Sequence, residues 1–176
     1  MAQIVNDFTL NIATANGTGS QSANLILLHS MFEMGVPVSG KNLFPSNISG
    51  LPTWFIIRAS DAGYQAPGDK THIQVVMNKD TWLADVEKAE PGTIIIHNMD
   101  VKLPVERDDC VVLGIPMTKM ARAINPKLAR MIANMYYVGG LAEVLGIDAN
   151  ALRAALTQQF KGKEKAIELN TRAIDE

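Results

Sequence analysis

The sequence predicts an α/β fold: a mostly parallel central sheet flanked by helices, with a helical segment at the C-terminal end. Three observations predict it. Strand-like and helix-like hydrophobic periods alternate through most of the chain, the pattern of a parallel sheet built with crossover helices. Two short runs, residues 93–97 and 110–115, are continuous β-branched and apolar stretches built around Ile94–Ile96 and Val111–Leu113, as expected of strands buried on both faces. From Asn125 onward the apolar residues recur at helical spacing only.

Each element follows from local chemistry. Phe8, Leu10 and Ile12 alternate with other residues and run on to Ala13, giving a first strand. Residues 14–19, with Gly17 and Gly19, turn the chain into a helix over 20–34. On it Ala23, Ile26, Leu27, Ser30 and Met34 share helical spacing, and Gly35 is placed to end it in the left-handed conformation. Strand, glycine loop and helix together make the opening of a nucleotide-binding, Rossmann-like α/β unit. Residues 36–52, rich in Gly, Pro, Ser and Asn, read as a long polar connection, a place where compact domains often carry function. A strand over 54–59 contains Arg58 near its end, and residues 61–70 form a turn-rich segment. A strand over 72–77 and a short helix over 79–88 precede the two apolar runs.

The C-terminal third reads as helices. Asn125 is suited to cap one and Pro126 to its first position. Leu128, Met131, Ile132, Met135, Val138, Ala142 and Leu145 then form one apolar face, and Gly146 stops the helix. Ala129, Ala133 and Gly140 are small residues on a neighbouring face, where another element can approach closely. Asp148 caps the next helix, with Leu152, Leu156 and Phe160 inside, and a last helix from about Lys163 carries Ile167 and Ile174. The expected division is an α/β domain over 1–146 and a helical segment over 147–176.

Composition narrows the function. A length of 176 residues suits one compact domain with a helical appendage, and 47% hydrophobic against 19% charged residues allows a substantial core. A net charge of −2 gives no broad electrostatic reason to bind nucleic acid or anionic membrane. The N-terminus has neither a basic nor an apolar signal region, and the apolar runs are strand-sized, so a cytoplasmic location is expected. Cys110 is the only cysteine, so this chain is expected to hold no disulfide, thiolate zinc site or iron–sulfur cluster of its own. His29, His72 and His97 lack metal-ligand spacing, and Asp108-Asp109 reads as solvated charge in a turn.

The candidate binding residues lie in two polar loops and at one strand end. Gly17, Thr18, Gly19, Ser20 and Gln21 form a turn at a helix N-terminus, where backbone N–H groups and a partial positive charge favour phosphate; Ser20 and Ser22 add hydroxyls, and Ser20 is a candidate cap. As a dinucleotide fingerprint the match is poor, which disfavours a nicotinamide site: Ser22 stands at the third glycine, and residues 38–41 offer no acidic group for a ribose. A structural turn and a loop facing a ligand or partner both remain open. Ser46, Asn47 and Gly50 form the second loop, equally suited to a ligand or to a rigid connection. Arg58 could meet a phosphate or carboxylate, or make a structural ion pair.

Four segments in order resemble one family. Residues 15–23 (ANGTGSQSA) are similar to the glycine-rich opening of the gamma domain of pyruvate and 2-oxoglutarate ferredoxin oxidoreductases. Residues 44–58 (FPSNISGLPTWFIIR) look like that family's second polar loop and the following strand. Residues 111–135 (VVLGIPMTKMARAINPKLARMIANM) resemble the type whose gamma domain is fused at the N-terminus of the alpha subunit. Residues 161–170 (KGKEKAIELN) fit the helix leading toward its thiamine domain. The resemblance implies the fold of domain III of pyruvate:ferredoxin oxidoreductase. It also implies a share in oxidative decarboxylation of a 2-oxoacid to acyl-coenzyme A, with electrons passing to ferredoxin. Thiamine diphosphate, magnesium and [4Fe–4S] centres would then belong to the remaining alpha-subunit domain and a thiamine-binding beta subunit. This chain would cover the active site and help position coenzyme A, with no catalytic residue of its own. Gly17 to Gln21, residues 46–50 and Arg58 are expected to face that shared cleft. A stand-alone module for coenzyme A or another phosphorylated ligand is the alternative.

Overall fold

The computed structural model describes residues 6–45 and 48–176. The strands are β1 (Asp7–Ala15), β2 (Val38–Leu43), β3 (Pro52–Ser60), β4 (Ile73–Val76), β5 (Ile94–Asn98) and β6 (Val111–Ile115). The helices are α1 (Ser20–Glu33), α2 (Trp82–Glu87), α3 (Met117–Ile124), α4 (Ala129–Leu145), α5 (Ala149–Gln159) and α6 (Glu164–Asp175). One six-stranded sheet has the order β2-β3-β1-β4-β5-β6. β1, β4, β5 and β6 are parallel, whereas β3 runs antiparallel to β1 and β2 antiparallel to β3.

Alternation along β1 sorts the faces. Leu10 and Ile12 are fully buried on one side, beside Ile57 and Phe55 of β3 and Ile73 and Val75 of β4. That face packs into the main core, to which the helices contribute Ile26, Leu27, Tyr137, Leu141 and Leu156. Each such side chain, removed from water, is worth about 1.5–3 kcal/mol. Leu152, Ala155 and Ala173 belong to the same core, so residues 147–176 share it with the sheet. On the opposite face Trp82, Val86 and Ala89 cover Val76 and Ile95 in a smaller cluster.

Several expectations need correction. The supposed connection over 36–52 contains β2, an edge strand. Its Gly40 makes room for neighbours, since a Cβ there would lie 2.7 Å from Phe55 Cζ and 2.9 Å from Leu28 Cδ2. β6 is not buried on both faces: it closes the sheet, and Val111 and Leu113 stay 53% and 38% exposed. An apolar run has the same composition at the edge as at the centre. The helical third starts before Asn125, with α3. Asn125 Oδ1 does cap a turn, accepting from the N–H groups of Lys127 at 3.0 Å and Leu128 at 3.3 Å, but α4 itself begins at Ala129. Met131, expected inside, is 48% exposed. The short helix is confined to Trp82–Glu87. The close approach expected near Gly140 occurs chiefly at Gly139, where a Cβ would lie 2.7 Å from the Ile174 carbonyl oxygen.

Candidate functional site

After β1 the chain leaves for β2 and β3 on one side of the sheet, then returns to β4 on the other. This reversal opens a crevice at the carboxyl ends of the parallel strands, the usual ligand position in open α/β sheets. It is occupied here by a cavity of about 630 Å³, within the size range of small-molecule sites. Its strand-end residues are Thr14 and Ala15 at the end of β1, Met77 and Asn78 after β4, and Asn98 at the end of β5.

The floor is fixed by buried amides. Asn78 Nδ2 donates to the Thr14 carbonyl at 3.1 Å, Asn98 Nδ2 to Thr118 Oγ1 at 2.8 Å, and Asn134 Nδ2 to the Thr18 carbonyl at 2.8 Å. All three asparagines are at most 4% exposed. Around the mouth stand Lys79, Arg122, Lys127 and Arg130, with Asp80 the one carboxylate among the lining residues. Arg130 lies in the first turn of α4, whose unpaired N–H groups add partial positive charge. Such a surface can hold a polyanion.

The two predicted loops are joined at its rim. Asn16 N donates to the Leu51 carbonyl and Gly50 N to the Asn16 carbonyl, both at 2.8 Å. Gly17 and Gly19 have φ of +77° and +84°, a region where L side chains are strained. At Gly17 a Cβ would also lie 2.5 Å from Ser49 Oγ. Thr18 and Gly50 line the cationic cleft. Gly17, Gly19, Ser20 and Gln21 line a second cavity, of about 480 Å³, on the other side of the loop. The expected cap is corrected: Gly19 holds the N-cap position, while Ser20, 5% exposed, has its Oγ accepting from Thr14 Oγ1 at 3.0 Å. Ser22 Oγ accepts from Gln159 Nε2 at 3.3 Å. Ser46 and Asn47 lie outside the described residues.

Arg58 is not brought to this cleft. It stands opposite Thr9, near the amino end of β1, whereas the loop follows Ala15; the intervening strand length is roughly 20 Å. There Arg58 forms an ion pair with Asp7, and its Nη1 donates to the Ala59 carbonyl at 2.6 Å. Of the two roles open to it, the structure shows the ion pair.

The other titratable residues singled out in the sequence lie away from the cleft. His72 Nδ1 accepts from Thr9 N at 3.1 Å, and burial, with Lys70 and Arg58 nearby, holds its pKa below the ordinary value. His97 stands edge-on to Trp82 at 5.5 Å, its pKa lowered by burial. Asp109 is engaged by Arg107 at 2.7 and 2.9 Å, a bond that keeps its carboxyl below its usual range. Burial raises the Cys110 thiol, which disfavours the thiolate. Among the described residues no group of three or more His, Cys, Asp or Glu could hold a metal ion. With one cysteine in the sequence, the donors do not fit a [4Fe–4S] cluster. No helix of the described residues is long and apolar enough to cross a membrane.

The cationic set was missed at the sequence level. Lys79 and Arg130 are fifty-one positions apart, and no spacing rule links them; the helix start near Asn125 and the family-like segment 111–135 lie beside three of the four cations without marking them as a set.

Comparison with known proteins agrees with this architecture. Residues 9–176 match the family described as pyruvate ferredoxin/flavodoxin oxidoreductase. The alpha subunit of 2-oxoacid:ferredoxin oxidoreductase 2 from Aeropyrum pernix is 21% identical over 212 residues, which cover 96% of this chain and 33% of that subunit. The chain thus spans about a third of the length of this relative. A 2-oxoglutarate:ferredoxin oxidoreductase from Magnetococcus marinus, solved with 2-oxoglutarate, coenzyme A and succinyl-CoA bound, superposes with a TM-score of 0.87 at 24% identity, covering 98% of this chain and 30% of that one. The gamma subunit of a keto/oxoacid ferredoxin oxidoreductase from Geobacter sulfurreducens gives 0.74 at 16% identity, covering 96% and 94%.

Proposed function

The chain belongs to the pyruvate ferredoxin/flavodoxin oxidoreductase family, and from that membership we propose that it is the gamma-type part of a 2-oxoacid:ferredoxin oxidoreductase. The complete enzyme would release carbon dioxide from a 2-oxoacid, transfer the acyl group to coenzyme A and pass electrons to ferredoxin. Thiamine diphosphate, magnesium and [4Fe–4S] centres would supply decarboxylation and electron transfer from the remaining alpha-subunit domain and a thiamine-binding beta subunit, in the cytoplasm. The residues of this chain would bind and orient coenzyme A and keep water from the site they cover. Residues 1–146 would form that α/β cover, and 147–176 would lead toward the next part of the enzyme.

The observation that carries this reading is the cleft, where a glycine turn clamped by Asn134 meets strand ends and unpaired N–H groups. Gly17, Thr18, Gly19, Ser20, Gln21 and Gly50 form the rim over which the ligand would pass, and Ser46 and Asn47, outside the described residues, are proposed as further contacts. Gly17→Ala in the complete oxidoreductase tests it. The new Cβ would press on Ser49 Oγ and tilt the rim. We expect the KM for coenzyme A to rise about tenfold, equivalent to roughly 1.4 kcal/mol, while the KM for the 2-oxoacid holds. An unchanged coenzyme A KM would remove the loop from the site. A chain that binds coenzyme A as a monomer and never co-purifies with a thiamine protein would instead support the stand-alone module.

A further inference from the structure

We infer that the cationic cleft at the carboxyl ends of β1, β4 and β5 reads the number of phosphates on its ligand, taking the nucleotide end of coenzyme A and distinguishing it from the same molecule without the 3′-phosphate. The inference rests on the proposed role in positioning coenzyme A and adds what this chain selects.

Lys79 comes from the turn after β4, Arg122 from α3, Lys127 from the turn between α3 and α4, and Arg130 from the start of α4. These four face one carboxylate, Asp80, in a chain whose net charge is −2. The ion pairs among the described residues engage Arg58, Arg107, Arg153 and Arg172, none of which lines the cleft. Like charges gathered from separate elements repel one another unless an anion joins them. A pyrophosphate would leave part of this charge uncompensated, and the added phosphomonoester of coenzyme A, close to doubly charged at neutral pH, would meet it.

The second cavity separates the ends of the ligand. Its side chains include Asn16, Gln21, Asn24, Asn42 and Thr53, and no charged residue lines it. Neutral amides suit the amide-bearing pantetheine arm, and no charged side chain there pairs with a phosphate. The glycine turn, with Thr18 lining the first cavity and Gly17 and Gly19 the second, lies between the two, and the ligand would cross over it.

The test uses the complete native oxidoreductase, with coenzyme A and 3′-dephospho-coenzyme A as competing acceptors. We expect wild-type kcat/KM to favour coenzyme A at least tenfold and the preference to shrink with added salt, since exposed charges are screened beyond about 8 Å at physiological ionic strength. Lys79→Ala, Lys127→Ala and Arg130→Ala should each reduce the ratio, and the triple variant should bring it near one. Lys165→Ala, on α6 away from the cleft, should keep it. Inhibition by adenosine 3′,5′-bisphosphate, competitive with coenzyme A, should weaken about tenfold in the triple variant. Equal use of both acceptors by the wild type, or a ratio unmoved in the triple variant, overturns the inference and leaves the coenzyme A reading standing. An enzyme that accepts neither compound overturns both.

Discussion

The Thr9 N–H donates to His72 Nδ1 at 3.1 Å, and that bond exists only while the nitrogen carries no proton. Burial and the nearby positive charges of Lys70 and Arg58 act in the same direction, so the folded pKa lies below the ordinary 6.5. The unfolded chain therefore binds a proton more readily than the native one. The contribution to stability is fully present above the unfolded pKa and is lost as pH falls toward the folded value. Chemical denaturation at successive pH values below neutrality should show a steeper loss in the wild type than in His72→Gln, whose side chain does not titrate. Parallel curves would mean that His72 binds its proton equally well in the folded and unfolded chain. Arg58 shows a different limit on reading single residues. Its place in a strand was legible, but its partner, Asp7, was set by the antiparallel register of β1 and β3.

Along the elements, small residues mark where backbones meet. At Gly139 in α4 a Cβ would lie 2.7 Å from the carbonyl oxygen of Ile174 in α6, which is backbone and cannot rotate away. Gly139→Ala should gain about 1 kcal/mol in helix propensity and lose more to overpacking, which typically costs about 1–3 kcal/mol. A lower unfolding midpoint in urea is the expected result, and a raised midpoint would show that α6 shifts without cost. β6 carries a related lesson. Its residues 111–115 are as apolar as those of β5, yet one strand is at the edge and the other inside. Strand order depends on which crossovers exist, and a run of valines does not encode that.

Across the fold as a unit, the C-terminal helices and the sheet share one core: Leu152, Leu156 and Ala173 cluster with Leu10, Ile12 and Tyr137. Trp54 and Trp82 report on the opposite face, where Trp54 Nε1 donates to Asp85 Oδ1 at 2.9 Å. A domain of this construction should unfold in one step. Denaturation followed by tryptophan fluorescence and by far-ultraviolet circular dichroism should therefore give coincident transitions. Separate transitions would show that the two faces, or residues 147–176, come apart independently.

The amino-acid order alone determined the strand–glycine loop–helix opening, the αL stops at Gly35 and Gly146 and the Asp148 cap, because each depends on residues adjacent in the chain. It also showed a single cysteine and an unremarkable total charge. Folding decided the rest: the hidden strand in 38–43, the removal of Arg58 from the loop, and the meeting of Lys79 with Arg130 at one cleft. Those facts depend on register and crossover, which bring distant segments together through contacts that local spacing does not record.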